Sequence, residues 1–196
     1  MIICETVSAA SLNLNMLELS ARLGIPADAH LDGIEAVRHR LLDEARPAYA
    51  VRRIKIQRDG DSIIIGSMRS RSRALAKLCE DSDECLLLVA TLGIGVDRLV
   101  MRTASTSPKD AFVIDAMADA LVEALCDRAQ LRATAGLDTT GRFSPGYGDL
   151  ELALGREIVA LTDAERTLGI KHTSGGLMVP KKSVNAIIAI RKDCNV

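Results

Sequence analysis

The sequence is poor in aromatic residues, and it has neither long apolar runs nor an excess of one charge. Tryptophan is absent, and only two phenylalanines and two tyrosines occur among 196 residues. No apolar run approaches the roughly 20 residues that span a bilayer, so we expect no membrane segment. The formal net charge of -1 gives no general attraction to nucleic acid or to an anionic surface. We therefore expect neither nucleic acid nor a membrane as a partner.

Cysteine and histidine are few and scattered. The five cysteines are odd in number and show no C-x-x-C spacing, which indicates neither a disulfide framework nor a zinc site. The three histidines add no metal cluster. The chain start contains Glu5 and no basic segment, so it does not predict a signal peptide. Reduced thiols in a cytoplasmic protein fit this pattern. The cysteines are Cys4, Cys79, Cys85, Cys126 and Cys194.

The rest of the composition is that of a folded globular chain. Hydrophobic residues make up 48% and charged residues 26% of the sequence, which is sufficient for one substantial core. No repeat or composition shift marks a boundary, so we expect a single domain over residues 1–196. Helical and extended patterns alternate irregularly, which predicts an α+β fold with an antiparallel or mixed sheet and flanking helices.

A few segments carry clear secondary-structure patterns. Alternating side chains around the turn Asp59-Gly60 predict a hairpin over residues 51–65. Short apolar runs predict a buried strand over 85–93 and a last strand over 183–192. Ser107 and Pro108 begin the longest predicted helix, which Gly136 ends. Shorter helices are predicted over 14–23 before a breaker at 24–26, from a cap at Asp32 to about Arg46, and from a cap at Asp149 to about Leu161.

Two short segments have both a binding and a structural interpretation. Gly93 and Gly95, in the turn TLGIGVDR, could bring backbone N–H groups close to an anion. The third glycine of a dinucleotide fingerprint is absent because Arg98 stands there, and a tight strand-to-helix turn is the simpler interpretation. The basic segment MRSRSR, residues 68–73, could contact phosphates, but it is more typical of a solvated loop that leads into a helix.

Half of the aromatic residues lie in the stretch RFSPGYGDLEL, residues 142–152. The pair Pro145-Gly146 favours a tight turn with a positive φ at glycine, which would bring Arg142 and Tyr147 to one side. A guanidinium is a natural bidentate partner for a carboxylate. If Glu123 of the long helix faced the same space, it could bind the ammonium group of the same amino-acid zwitterion. On spacing alone, a structural turn and a solvated acidic helix face remain the simpler interpretations.

A glycine-containing loop precedes the last predicted strand. Gly175 and Gly176 interrupt the pattern after residue 168, and Pro180 ends the loop. Loops held between two elements often line binding sites, although a plain connection into the strand explains these residues as well.

Together these segments resemble the reactivation domain of cobalamin-dependent methionine synthase, and more closely the short, free-standing bacterial proteins related to its later part. The similarity covers about residues 85–190. The segment ADALVEALCDR is similar to the family's long helix and places Glu123 on its ligand-binding glutamate. The family's Arg-x-x-x-Gly-Tyr motif is matched by Arg142, Pro145, Gly146 and Tyr147. Its Thr-Glu-Ser…Met-x-Pro…Ser-Val segment is matched by Thr173, Met178, Pro180, Ser183 and Val184.

The resemblance implies the fold of the methionine synthase activation domain and the binding of S-adenosylmethionine through its amino-acid head group. It implies that Arg142 binds the carboxylate and that Glu123 lies near the amine. The implied cofactor-binding set has no catalytic acid or base and no metal ligand. This set comprises Glu123, Arg142, Pro145, Gly146, Tyr147, Thr173 and Ser174.

The implied function is reductive remethylation, that is, reactivation, of a corrinoid on a separate cobalamin-dependent methionine synthase or corrinoid methyltransferase. The chain would be a methyltransferase component acting in trans. Its implied partners are the corrinoid protein, which holds the cobalamin, and an electron donor such as flavodoxin or ferredoxin. The alternative is a non-catalytic interaction or regulatory module. Ser174-Gly175 replace the Glu-Ser of the family's segment, which favours this alternative.

Overall fold

The computed structural model describes residues 2–14, 16–24 and 34–192. The predicted cap at Asp32, the breaker residues Ile25 and Pro26, and the thiol of Cys194 lie outside these residues. The strands are β1 (Ile2–Thr6), β2 (Ala48–Asp59), β3 (Ser62–Ile65), β4 (Met68–Ser70), β5 (Ser82–Thr91), β6 (Lys171–His172), β7 (Met178–Val179) and β8 (Ser183–Arg191). The helices are α1 (Met16–Leu23), α2 (Ile34–Glu44), α3 (Arg73–Leu78), α4 (Ile94–Ala104), α5 (Pro108–Ala133), α6 (Leu154–Leu161) and α7 (Ala164–Leu168). No helix within the described ranges is long and apolar enough to cross a membrane.

A six-stranded sheet organises the described chain. Its order is β4-β3-β2-β5-β8, with β1 paired to β2, and all of its ladders are antiparallel. The predicted hairpin is confirmed as β2 and β3, which meet at the pair Asp59–Ser62. Gly60 has a φ of 55° in the turn between them, a conformation that glycine adopts without strain. The predicted α+β fold is therefore confirmed, and the sheet type in the described residues is antiparallel.

Helices cover both faces of this sheet. Because successive side chains of a strand point to opposite faces, Leu86 and Leu88 of β5 lie in one core and Leu87 and Val89 lie in the other. The first core contains residues of α1, α2, α4 and α5, and the second contains residues of α3, α6 and α7. Burial on both faces explains why residues 85–90 of β5 form an unbroken apolar run rather than an alternating pattern.

The longest helix is confirmed with its predicted start. The Ser107 hydroxyl accepts a 3.3 Å hydrogen bond from the Asp110 N–H, and Pro108 occupies the first turn. Gly136, with a φ of 78°, follows the end of α5 at Ala133. The early helices are also found, as α1 and α2, and the last predicted strand is β8.

The turn TLGIGVDR is a packed strand-to-helix connection between β5 and α4. Gly93 adopts a φ of 82°, which strains any residue with a side chain. A Cβ on Gly95 would lie 2.6 Å from the carbonyl oxygen of Glu44, at the end of α2. The two glycines therefore permit backbone conformation and close helix packing, which agrees with the structural interpretation of this turn.

Strands β4 and β1 have no counterpart among the predicted elements. The basic segment begins as strand β4, because Met68 and Ser70 are buried while Arg69 between them is exposed. Three residues are too few to show a strand period in the sequence. Strand β1 lacks any buried residue over its length, so its sequence carries no hydrophobic alternation.

The prediction that Asp149 caps the following helix, α6, is wrong, because its carboxylate binds the N-terminus of α3 instead. Helix α6 begins at Leu154 after Ala153, and no side chain caps it. The Asp149 carboxylate instead accepts hydrogen bonds from the N-terminal groups of α3, including the Arg73 N–H at 2.7 Å and the Ala74 N–H at 3.1 Å. These bonds, with the hydroxyl of Ser72 as the largest contributor, lower the pKa of Asp149 to about 2. A carboxylate far away in sequence thus fixes the loop after Tyr147 to α3.

Candidate functional site

Arg142 is fixed by a segment that runs along the free edge of β8. The backbone of Phe143 exchanges hydrogen bonds of 2.9 and 2.8 Å with Ile187, and the Thr140 N–H donates to the Ala189 carbonyl at 3.0 Å. The Phe143 ring packs against the core that contains α6. Since neighbouring side chains of an extended segment point in opposite directions, Arg142 is directed toward α5.

Three polar residues of α5 accept hydrogen bonds from the Arg142 guanidinium. Nη2 donates to Glu123 Oε2 at 3.0 Å, and Nη1 donates to Asp127 Oδ1 at 2.7 Å and to Gln130 Oε1 at 3.1 Å. The acceptors are separated by four and three residues, which places them on one face of the helix. Arg142 and Glu123 therefore converge, as the zwitterion hypothesis requires.

The environment keeps the guanidinium protonated. Only 22% of the Arg142 side-chain surface is exposed. Burial alone would lower the pKa of Arg142, but the hydrogen bond to Asp127 and the negative charges of Asp127 and Glu123 outweigh it, so the pKa is raised. Arg142 is therefore a fixed positive charge beside a partly exposed carboxylate.

The predicted turn at Pro145-Gly146 is present. Gly146 has a φ of 93°, and its N–H donates to the Leu150 carbonyl at 2.8 Å. The turn directs Tyr147 outward, with 68% of its surface exposed. Gly146 shapes the backbone of the turn, and Pro145 and Tyr147 supply walls of the cavities next to it.

Two adjoining cavities lie at this turn. The first, the Arg142 cavity, has a volume of about 490 Å³ and is lined by Glu123, Gln130, Arg142, Phe143 and Tyr147 among others. The second, the Leu177 cavity, has a volume of about 450 Å³ and is lined by Pro145, Leu152, Leu177, Met178 and Asn185 among others. Glu123, Ser144, Tyr147 and Val184 line both cavities. Glu123 thus lies where the two spaces meet.

Thr173 and Ser174 lie apart from Arg142. They line a third cavity of about 430 Å³ together with Arg156 and His172. The Arg156 guanidinium donates to the Thr173 carbonyl at 2.7 Å and to the Ser174 carbonyl at 3.0 Å. Burial, followed by the charge of Arg156, lowers the pKa of His172. The structure therefore brings together Glu123, Arg142 and the turn residues, and it places Thr173 and Ser174 on the far end of the 173–180 loop.

Sequence reasoning missed two contributors to the site. Gln130 and Asp127 are not among the site residues that the sequence predicts. Their spacing from Glu123 was the available signal, since acceptors one and two turns along a helix can share one cation. The cation itself comes from a segment placed by tertiary pairing with β8, which the helix sequence does not reveal.

The antiparallel sheet with helices on both faces defines an α+β fold. At the edge of this sheet, the contact between Arg142 and Glu123 defines a candidate site for a zwitterion. No protein-family model matches the chain, and no curated protein matches it in sequence. A solved structure with the same fold is the crystal structure of the MetH reactivation domain bound to AdoHcy. The likeness has a TM-score of 0.74 at 19% sequence identity, and it covers 100% of this chain and 80% of that chain. The chain therefore has the fold of the methionine synthase reactivation domain, as the sequence resemblance implied.

Proposed function

We propose that this chain binds S-adenosylmethionine through its amino-acid head group and supports the reductive remethylation of a corrinoid held by a separate protein. That protein would be a cobalamin-dependent methionine synthase or a related corrinoid methyltransferase. The observation that carries the proposal is the convergence of Arg142 and Glu123, whose charged groups lie 3.0 Å apart on the wall of one cavity. The shared fold is the second support.

The charges of the site match those of the proposed ligand. Arg142 would bind the carboxylate, and Glu123 would accept hydrogen bonds from the ammonium group. Glu123 Oε2 is engaged by Arg142, whereas Oε1 has no hydrogen-bond partner among the residues that the structure describes. With Asp127 nearby, the cluster has one more carboxylate than guanidinium, which favours a cationic sulfonium over a neutral thioether.

The available space is also consistent with this ligand. Sites for small molecules and cofactors measure roughly 300–1,000 Å³, and the Arg142 cavity measures about 490 Å³. The exposed ring of Tyr147 offers an apolar wall with a polar tip. The Leu177 cavity, which shares Glu123 and Tyr147 with it, provides room for the part of the ligand beyond the head group.

The proposed role of the protein is binding and orientation. Bound S-adenosylmethionine would supply a methyl carbon that is already electrophilic because it is attached to a sulfonium. Arg142, Glu123 and the Pro145-Gly146 turn therefore need only hold the ligand in one orientation, which lowers the entropy cost of the transfer, and no residue of the site has to move a proton.

The 173–180 loop is the proposed surface for the corrinoid protein. Leu177 at its tip is 65% exposed, and Val179 is 37% exposed. In this arrangement Thr173 and Ser174 belong to the partner-facing loop, and Arg156 holds their carbonyl groups in place. We further propose that the protein acts in the cytoplasm, where the exposed thiol of Cys4 would remain reduced.

A second candidate function is a non-catalytic module that binds or regulates a corrinoid protein. The feature that favours it is Ser174-Gly175, because a glutamate expected from the family pattern is missing at the end of the loop. This module would need the exposed loop but would not need a ligand between Arg142 and Glu123. Binding of S-adenosylmethionine therefore separates the two candidates.

Calorimetric titration with S-adenosylmethionine tests the proposal. We expect binding to the wild-type protein and a loss of roughly 1.5–3 kcal/mol in Arg142→Ala, the range for a charge-assisted hydrogen bond. Arg191→Ala is the matched control, because Arg191 also pairs with an acid, Asp138 at 3.5 Å, but does not line either cavity at the turn. Absence of heat with the wild type would favour the second candidate. Equal heat from wild type and Arg142→Ala would reject the site.

The role in trans requires a separate measurement. The partner in its cob(II)alamin form would be mixed with a reduced flavodoxin or ferredoxin and S-adenosylmethionine, and visible absorbance would follow the cobalamin. We expect conversion to methylcobalamin only when this chain is added. Equal conversion without the chain would contradict the proposed role even if the chain binds S-adenosylmethionine.

A further inference from the structure

One side of the Arg142 guanidinium is occupied by acceptors of the protein itself. Nη1 has two N–H groups, and it donates to Asp127 at 2.7 Å and to Gln130 at 3.1 Å. We infer that Asp127 and Gln130 are positioning residues that hold this side, so that the opposite edge of Arg142 is presented to a ligand carboxylate. The inference rests on the proposed function, and it adds two residues that determine how the head group is recognised.

The N–H donors of Arg142 that have no acceptor among the described residues could form hydrogen bonds with a ligand carboxylate. A guanidinium carries five N–H donors in a planar fork, and the protein accepts from both Nη1 groups and from one Nη2 group. Within the described residues, no acceptor contacts Nε. Nε and the second Nη2 donor therefore have no acceptor among these residues, and a guanidinium can bind a carboxylate through parallel hydrogen bonds from Nε and Nη2.

Gln130 connects this arrangement to the segment that carries Arg142. Its Nε2 donates to the Thr140 carbonyl at 3.4 Å, while its Oε1 accepts from Arg142. The side-chain amide of Gln130 thus has a defined orientation, because the Thr140 carbonyl oxygen can accept a hydrogen bond only from the amide nitrogen. Helix α5 and the 139–143 segment are joined at the point where the guanidinium is held.

Asp127 accepts a hydrogen bond from Arg142 but does not lie where it could contact the proposed ligand. Its side chain is 71% exposed, and it lines neither the Arg142 cavity nor the Leu177 cavity. A carboxylate in that place would also repel a ligand carboxylate. Its contribution is to restrict a long, flexible side chain before binding, so that less conformational freedom is lost when the ligand binds.

Titration of Asp127→Asn with two ligands tests the inference. S-adenosylmethionine has the carboxylate, and decarboxylated S-adenosylmethionine lacks it. We expect the Kd for S-adenosylmethionine to rise about 3- to 10-fold, and the Kd for the decarboxylated ligand to change less than about twofold. Asp127→Glu, which retains the charge, should recover part of the loss. Asp138→Asn is the control, because Asp138 is also an exposed partner of an arginine, with 64% of its side chain exposed.

The two ligands separate positioning from other roles of Asp127. Equal weakening of both would indicate a general loss of structure or of attraction for cations, and it would overturn the inference. A larger loss of affinity for the decarboxylated ligand, which has the higher positive charge, would also overturn the inference. Unchanged binding of S-adenosylmethionine would show that Asp127 does not position Arg142.

A measurement without ligand distinguishes a failure of this inference from a failure of the proposed function. The Nε–H signal of Arg142 in a ¹H–¹⁵N spectrum can be assigned by its absence in Arg142→Lys. We expect a restricted signal in the wild type and a lower heteronuclear NOE in Asp127→Asn, because the guanidinium gains motion when Nη1 loses its charged partner. An unchanged NOE would contradict the inference. If the wild type bound neither ligand, the proposed function would fail, and this NOE would still decide whether Asp127 immobilises Arg142.

Discussion

Substitution of Gly95 by alanine sets two physical effects against each other. Gly95 lies in the first turn of α4, where alanine would add up to about 1 kcal/mol of helix propensity. A Cβ there would lie 2.6 Å from the Glu44 carbonyl oxygen, a backbone atom that cannot rotate away. Overpacking of this kind costs typically about 1–3 kcal/mol. We expect the overlap to prevail, with a net loss of about 1 kcal/mol in the free energy of unfolding.

Thermal and urea unfolding of Gly95→Ala measure this loss. For a chain of this length, a change of 1 kcal/mol shifts the Tm by about 2–4 °C, so we expect the Tm to fall by that amount. Gly141→Ala is the matched control, because a Cβ at Gly141 meets no atom within 4 Å and its φ is outside the left-handed region. We expect no decrease in its Tm. A Tm for Gly95→Ala at or above that of the wild type would refute the packing explanation of the TLGIGVDR turn.

Two further predictions concern titratable groups away from the proposed ligand. The pKa of Asp149 is lowered to about 2 from an ordinary 3.8, so its stabilisation is complete above pH 4 and is lost as the pH falls through 2. Asp149→Asn should therefore lower the Tm at pH 7, with a difference from wild type that shrinks between pH 4 and pH 2. Glu151→Gln, a substitution at an exposed neighbour, is the control and should leave the Tm at pH 7 unchanged. A constant difference across that range would contradict the assignment. Burial raises the pKa of Cys126 to about 12 and also raises that of Cys85, whereas Cys4 is exposed. Iodoacetamide at pH 8, followed by peptide mass spectrometry, should label Cys4 well before either buried thiol, and rapid labelling of Cys85 in the native protein would contradict its burial.

The parts of the fold that sequence predicts are those with a strong local pattern. The hairpin has alternating side chains and a glycine in its turn, and α5 has a capping serine followed by proline. Strand β1 has no such pattern, since it lies at an edge with no buried residue. The capping target of Asp149 is also invisible in sequence, because it accepts from Ser72 and Arg73, more than 70 positions away.

The candidate site was predictable only in part. The turn at Pro145-Gly146 follows from local preference, and the structure contains it. The approach of Arg142 to Glu123 depends on the pairing of the 139–143 segment with β8, which local patterns do not encode. The resemblance to a known family supplied that link. It did not reveal Asp127 and Gln130 as partners of the arginine, nor the separation of Thr173 and Ser174 from it.

The central claim is that Arg142 and Glu123 together hold an amino-acid head group. A crystal structure of this protein with S-adenosylhomocysteine, which has the same head group and no reactive methyl, tests it most directly. We expect the ligand carboxylate on the Nε and Nη2 edge of Arg142, the ammonium group against Glu123, and Asp127 still in contact with Nη1. A ligand bound elsewhere, with Arg142 and Glu123 unchanged beside a cavity filled by water, would contradict the account.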